Sequence, residues 1–261
     1  MQHHDRRRAS SFGDDAEQYD RARPTYPADL VGHLMRDNPK MVVDAGCGTG
    51  IASRLFIRRG CRVIGVEPDP RMAEIARRHG LSVEDDHFEE WDPAGRRFDL
   101  VVSAQAWHWI DPVAGARKAG EALRAGGRIG VFWNRGDPPD DVRAALDEAY
   151  QRTAAALGEG YTLPSAALTT PDADCRRAAA AFRTAGGFAE VTVGVFTHSV
   201  AYTTAQWVDL LPTHSDHRTL PATQLAAVLA AVGEVIDAAG GRFEMRYQTW
   251  LAEATRGRPA G

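Results

Sequence analysis

From about residue 41 the chain alternates short apolar runs with stretches of helical spacing. Met41–Ala45 is apolar and β-branched and stops at a glycine-rich turn, the pattern of a buried strand. Ile51–Arg59 has helical spacing. Arg62–Val66 predicts a second strand, and Arg71–His79 a helix with Met72, Ile75 and Ala76 on one face. Leu81–Val83 begins a short third strand. Phe98–Ser103 is a continuous apolar run, as expected in a sheet covered on both faces. Pro112–Leu123 predicts a helix and Gly127–Trp133 a fifth strand. Parallel strands need long crossovers, so this βαβαβ order predicts a doubly wound, mostly parallel α/β sheet.

The regularity breaks at Asn134. Asp140–Leu157 predicts an Ala-rich helix, Gly158–Asp172 a loop, and Cys175–Ala185 a helix closed by Gly186 and Gly187. Val191–Tyr202 alternates as a strand. Thr204–Leu211 and Pro221–Ala239 are helical, and Phe243–Ala252 returns as a strand with Met245, Tyr247, Thr249 and Leu251 on one side. The last two strands are expected to pair antiparallel at one edge, completing a seven-stranded sheet. The organisation expected is entry or lid helices over 1–40 and a ligand-binding core over 41–134. A helical cap is expected over 135–187 and 203–240, with terminal strands over 188–202 and 241–253.

The 261 residues carry 31 Lys and Arg against 35 Asp and Glu, a net charge of −4. That balance argues against a nucleic-acid partner, since the only basic run is Arg6-Arg7-Arg8 in a polar start read as a mobile tail. Cys47, Cys61 and Cys175 are isolated and do not form a zinc or disulfide framework. No apolar run reaches membrane-spanning length and no signal peptide is evident, so a cytoplasmic protein without a membrane partner, monomeric or homodimeric, is expected.

Chemistry enters at Asp44-Ala45-Gly46-Cys47-Gly48-Thr49-Gly50. A glycine-rich turn between strand and helix lets backbone approach a ligand and presents helix N-terminal amides. Dinucleotide sites use G-x-G-x-x-G, but Ile51 stands where their third glycine belongs. Asp44 before the turn disfavours a pyrophosphate and favours a cationic ammonium or sulfonium. Glu67, 17 residues after Gly50, is placed to accept from both hydroxyls of a ribose, although an acid at a helix N-terminus is its plainer reading.

These residues resemble the class I S-adenosylmethionine (SAM)-dependent methyltransferases, particularly the type 11 group containing trans-aconitate-methyltransferase-like proteins. Val66-Glu67-Pro68 is similar to the second motif of that family. Phe98–Ser103 is similar to its fourth strand, Ala122–Gly127 to its Leu-Arg-Pro-Gly-Gly turn with Ala125 for Pro, and Tyr19–Pro27 to its entry segment. The resemblance implies a Rossmann-like methyltransferase fold that binds SAM and releases S-adenosylhomocysteine. It implies that Gly46, Cys47, Gly48 and Gly50 hold the methionine moiety and Glu67 the ribose. Pro68 and Met72 would pack on adenine, with His87 and Phe88 opposite. The carbonyl of Ser103 or Ala104 would receive the ammonium, and Tyr19 and Arg23 would cap the site near the carboxylate.

Other residues keep two readings. Cys47 is a nucleophile or merely small. In Ala106-Trp107-His108-Trp109, His108 is a general base or substrate ligand, or the element packs a loop over the cofactor; Trp107 is a candidate substrate contact. Trp133 and Asn134 end the fifth strand at the edge where α/β sites form, with core packing as the alternative. His214 and His217, three apart around Asp216, suggest a metal, but no further ligands are recognisable; His214 is a candidate base and His217 a candidate substrate contact. The expected function is methyl transfer to O, N or S of a small-molecule metabolite, such as a natural product or a carboxylate, with no metal. A non-catalytic SAM-binding regulatory module and an NAD-dependent oxidoreductase are the alternatives.

Overall fold

A computed structural model of the chain describes residues 11–153, 172–218 and 220–257. The expected loop over 158–171 and the Arg6–Arg8 tail lie outside these residues. A short 3-10 turn (Ser11–Asp15) leads into α1 (Ala16–Ala22) and α2 (Ala28–Leu34), followed by β1 (Met41–Ala45), α3 (Ser53–Ile57), β2 (Arg62–Val66), α4 (Pro70–Arg78), β3 (Ser82–Glu84) and β4 (Phe98–Ala104). Then come α5 (Pro112–Ala122), β5 (Leu123–Asp137), α6 (Asp140–Thr153), α7 (Ala173–Ala185), β6 (Phe188–Thr203), α8 (Thr204–Leu210), α9 (Ser215–Arg218), α10 (Ala222–Ala238) and β7 (Arg242–Arg256).

The strands form one seven-stranded sheet in the order β3-β2-β1-β4-β5-β7-β6. β1 to β5 run parallel, and β7 enters antiparallel between β5 and β6. This is the doubly wound, mostly parallel architecture expected, with the antiparallel pair at one edge. Alternation within each strand sends neighbours to opposite faces. Val42, Leu100 and Val102 therefore pack with Leu30, Val31 and Leu34 of α2 and Phe56 of α3. Val43, Val101, Ile129 and Val131 pack on the other face with Ala116 and Ala119 of α5.

Two expectations change. The fifth and last strands run longer than predicted, because β5 and β7 pair continuously from Arg128–Thr255 to Asp137–Arg246. Each satisfies the other's backbone past Asn134, where the regularity of the sequence pattern breaks. Helix α7, expected in the cap, lies on the main sheet. Its Cys175, Ala178, Ala179 and Phe182 are buried with Trp107, Trp133 and Trp250. Its small residues let it approach β6 and β7 closely and cover a face the parallel βα units do not reach.

A second apolar cluster gathers Val142, Leu146 and Tyr150 of α6 with Trp207 and Leu210 of α8, Val228, Val232 and Ile236 of α10, and Phe243, Met245 and Tyr247 of β7. This is the cap proper, and β7 joins it to the main core. No described helix is long and apolar enough to cross a membrane.

The placement of α7 makes a testable prediction. Phe182→Ala removes a fully buried ring from the main core and should lower unfolding free energy by about 3–5 kcal/mol in urea denaturation; a loss below about 1 kcal/mol would place α7 outside the core.

Candidate active site

The carboxyl ends of β1, β2 and β4 open into a cavity of about 960 Å³, closed on its far side by the cap and the N-terminal segment. Its floor is the turn after β1. Gly46 there has φ +69, and an added Cβ would lie 2.6 Å from Cβ of Ala106 in the loop after β4. Only glycine keeps these two loops in contact. Gly46, Cys47 and Gly48 line the cavity. Gly50 packs behind the turn on Ala76 and Leu81, so it shapes the loop rather than facing a ligand.

Glu67 stands on the cavity wall at the end of β2. Its Oε2 accepts from the Gly48 amide at 2.8 Å and its Oε1 from the Asp69 amide at 3.0 Å. Burial pushes its carboxyl up to about 7, against those two amide hydrogen bonds, with the Asp69 and Asp44 carboxylates adding to the rise. A carboxylate this desolvated and fixed by two amides still has acceptor lone pairs to offer. Hydroxyl donors of a ribose would satisfy them. Pro68, Met72, His87 and Phe88 line the same end, and Ala104 closes it from β4.

Several sequence-based placements are corrected. Asp44 is fully buried behind the glycine turn, its Oδ2 accepting from Ser53 Oγ at 2.6 Å and its Oδ1 unpartnered. Burial raises its carboxyl to about 6. It braces the start of α3 and does not line the cavity. Ser103 is also absent from the wall, because alternation along β4 turns it inward, where Oγ donates to the Ala45 carbonyl at 2.7 Å. Burial, with Glu67 and Asp44 nearby, holds the Cys47 thiol well above its ordinary range, which removes the nucleophile reading. Trp107 and Trp133 point into the main core. The indole that faces the cavity is Trp109, two residues on in the same 3-10 turn, with Phe12 edge-on at 5.9 Å.

Buried Trp133 nonetheless shapes the site, for its Nε1–H donates to His108 Nδ1 at 3.0 Å. Burial holds the His108 imidazole neutral by lowering it below its ordinary value. With Nδ1 the acceptor, the single proton sits on Nε2, so His108 offers the cavity a donor. It is not arranged as a general base. Asn134 lines the cavity, but its amide is committed: Nδ2 donates to the Thr25 carbonyl at 3.1 Å and Oδ1 accepts from Thr249 Oγ1 at 2.7 Å.

His214 and His217 also reach the wall, from the turn after α8 and from α9. His217 is 1 % exposed and both its nitrogens are engaged, Nε2 with Tyr150 Oη at 2.7 Å and Nδ1 with Asp216 Oδ1 at 3.0 Å. The nitrogens and carboxylate of His214, Asp216 and His217 lie within 4.8 Å of one another. However, the guanidinium of Arg23 acts on His214, and a cation there opposes a second one. The cluster reads as a hydrogen-bonded chain Asp216–His217–Tyr150. His214 is different, since neither ring nitrogen has a hydrogen-bond partner among the described residues. Burial, then the Arg23 charge, hold it well below its ordinary value, hence neutral.

The N-terminal segment is the part of the site that motif reading weighted least. Tyr19 and Arg23 line the cavity, with Phe12 and Pro24. Asp20 of α1 meets Arg54 at 2.9 Å and His79 at 2.8 Å on the core side, while Arg21 and Gln18 bond Asp209 of the cap at 2.8 and 3.0 Å. Gly13 lies so close to Asp69 that an added Cβ would stand 2.3 Å from Oδ2. Arg71 meets Asp14 at 2.6 Å and Asp69 at 2.8 Å across that contact. Besides the Tyr19–Pro27 segment, the acidic residues in 14–20 opposite Arg54, Arg71 and Arg78 are the trace this docking leaves in the sequence.

The raised carboxyl of Glu67 carries a stability prediction. Between its ordinary value of 4.5 and about 7 the folded state binds more protons than the unfolded chain. Its contribution is therefore fully present below about 4.5 and lost as pH rises through 7. Without ligand, wild-type stability should fall relative to Glu67→Gln over that window, by at most about 3 kcal/mol; parallel curves for the two proteins in thermal melts across pH would contradict it.

The chain matches the methyltransferase domain family over residues 19–233. It is 32% identical over 162 residues to an uncharacterized methyltransferase of Mycobacterium tuberculosis, covering 59% of this chain and 64% of that protein. A shorter match, 34% identical over 92 residues and covering 34% of each chain, is to a trans-aconitate 2-methyltransferase of Mycobacterium ulcerans. The chain thus spans a little under two thirds of the first and about one third of the second. Among solved structures, a type II methyltransferase from Anaeromyxobacter dehalogenans superposes with a TM-score of 0.65 at 20% identity, over 90% of this chain and 98% of that one. The glycine turn, the amide-held carboxylate and the sheet order converge with these likenesses: the chain belongs to the methyltransferase domain family and has the class I SAM-methyltransferase fold.

Proposed function

We propose that this chain transfers a methyl group from SAM to a proton-bearing O, N or S atom of a small molecule held beneath the cap. The observation that carries the reading is Glu67, fixed by the Gly48 and Asp69 amides on the wall of a cavity whose opposite end is walled by α6, α8 and β7. SAM, when bound, supplies an electrophilic methyl on a cationic sulfur. What the protein contributes is alignment and exclusion of water. Glu67 would hold the ribose, the Gly46–Gly48 backbone the amino-acid portion, and Met72 and Phe88 the base. These residues fit the group, because the glycine turn leaves room for it and the carboxylate oxygens need donors.

The acceptor end is mainly apolar, with Leu146, Trp207, Leu211, Met245 and Tyr247. Two imidazoles punctuate it with opposite roles. His108 presents Nε2–H and would orient a lone pair of the acceptor. His214, neutral and with free nitrogens, would take the proton. A base of lowered pKa is ready at neutral pH but weak. It suits an acceptor whose proton is already labile, such as a phenol or thiol, better than an aliphatic alcohol; a carboxylate acceptor would need no base. The negative net charge and the enclosed acceptor end favour a metabolite over nucleic acid.

Isothermal titration with S-adenosylhomocysteine tests the cofactor half. Micromolar-range binding by the wild type is expected, weakened at least about tenfold in Glu67→Ala, equivalent to about 1.4 kcal/mol; no binding by folded wild type would refute it. For the acceptor half, His214→Gln should lower kcat about 10²–10⁴-fold on any proton-bearing acceptor while leaving S-adenosylhomocysteine affinity unchanged. An unaltered kcat would remove His214 from the reaction.

A further inference from the structure

Arg23 lines the cavity, reaches from the N-terminal segment to the cap, and lacks an acidic partner among the described residues. It follows α1, with its amide donating to the Tyr19 carbonyl at 3.1 Å. Its guanidinium lies 5.0 Å over the Tyr19 ring. Nη2 donates to the Thr213 carbonyl at 2.6 Å, and Nε is buried without a partner. Thr213 is itself fully buried, its hydroxyl donating to the Leu210 carbonyl at 2.6 Å. The carbonyl that Arg23 grips therefore belongs to the peptide linking Thr213 to His214. The N–H of that same peptide, on His214, donates to the Leu211 carbonyl at 3.0 Å.

We infer that Arg23 is a positioning residue for His214: from the N-terminal segment it clamps the peptide from which that imidazole projects and sets the ring against the cofactor end of the cavity. This rests on His214 acting as the base proposed above. The placement has a steric and an electrostatic side. Sterically, the turn bearing His214 is held by hydrogen bonds at Leu210, Leu211 and Thr213, and the one at Thr213 that Arg23 makes ties it to the N-terminal segment. Electrostatically, the groups acting on His214 are Arg23 from the N-terminal segment and Asp216 and His217 from its own turn; Tyr19 and Tyr247 line the same cavity from α1 and β7. Asp216 would favour the imidazolium, but its carboxylate is engaged by the backbone amide and Nδ1 of His217. The guanidinium, with no carboxylate beside it, opposes protonation. A cation that is neither neutralised nor solvated at Nε has a purpose as a fixed charge beside a base that must stay unprotonated.

The test is the titration of the His214 ring by NMR in the full-length protein, its resonance assigned from His214→Gln, in wild type, Arg23→Gln and Arg23→Lys. Arg23→Gln should shift the His214 midpoint upward by about one pH unit, with Arg23→Lys intermediate because it keeps the charge but loses the fork. Once an acceptor is in hand, both substitutions should lower kcat more than they raise KM for SAM. S-adenosylhomocysteine affinity should change less than threefold. If His214 titrates identically in all three proteins, Arg23 does not position it. A tenfold loss of S-adenosylhomocysteine affinity with the His214 midpoint unmoved would assign Arg23 to the cofactor instead. Should the wild type bind no S-adenosylhomocysteine, the methyltransferase reading fails, while the titration still reports on the Arg23–His214 pair.

Discussion

The continuous antiparallel pairing of β5 with β7 is the constraint on which the rest of this molecule depends. Over ten residue pairs, from Arg128–Thr255 to Asp137–Arg246, it carries the sheet past the carboxyl ends of the parallel strands. The parallel half ends where the glycine turn begins, and the antiparallel half continues upward as the back wall of the cavity. Along β7 the side chains change allegiance. Trp250, Ala252 and Ala254 belong to the main core, and Phe243, Met245 and Tyr247 to the cap. A slip of one residue in this pairing would turn both sets to the wrong face at once. The register of one strand therefore holds the cap over the site.

The glycine turn and its neighbouring carboxylate were legible in the sequence because strand, turn and helix are local. The apolar, β-branched run ending at Ala45 and the glycines after it define the turn, and Val66-Glu67 at the end of β2 places the carboxylate beside it. Long-range partners were not legible. Nothing local distinguishes Trp107, which turns into the core against Phe182, from Trp109, which faces the cavity. Nor does an Ala-rich stretch declare whether it covers a sheet or joins a cap, as α7 shows. The tautomer of His108 was out of reach for the same reason, since it is set by an indole 25 residues away.

Charge organises the site by burial more than by pairing. Asp44 and Glu67 are raised together because both are desolvated near one turn, and each opposes ionisation of the other. The His108 and His214 rings are lowered for the same reason. The N-terminal segment works differently, with half-exposed ion pairs such as Arg71–Asp14 and Arg78–Glu17, whose individual worth in water is small. Its docking rests more on Gly13 at Asp69, on Asp20 between Arg54 and His79, and on the Asn134 amide that donates to the Thr25 carbonyl.

The cap cluster is closed by helices α6, α8 and α10 against the far end of β7. Leu146, Trp207 and Leu211 line the cavity from this cluster, while the glycine turn and Glu67 line it from the main sheet. The cavity is thus a seam between two separately packed cores, one wall belonging to the sheet and the other to the cap. Loosening the cap would reshape one wall and leave the other in place, so the two halves of the cavity answer to different parts of the fold.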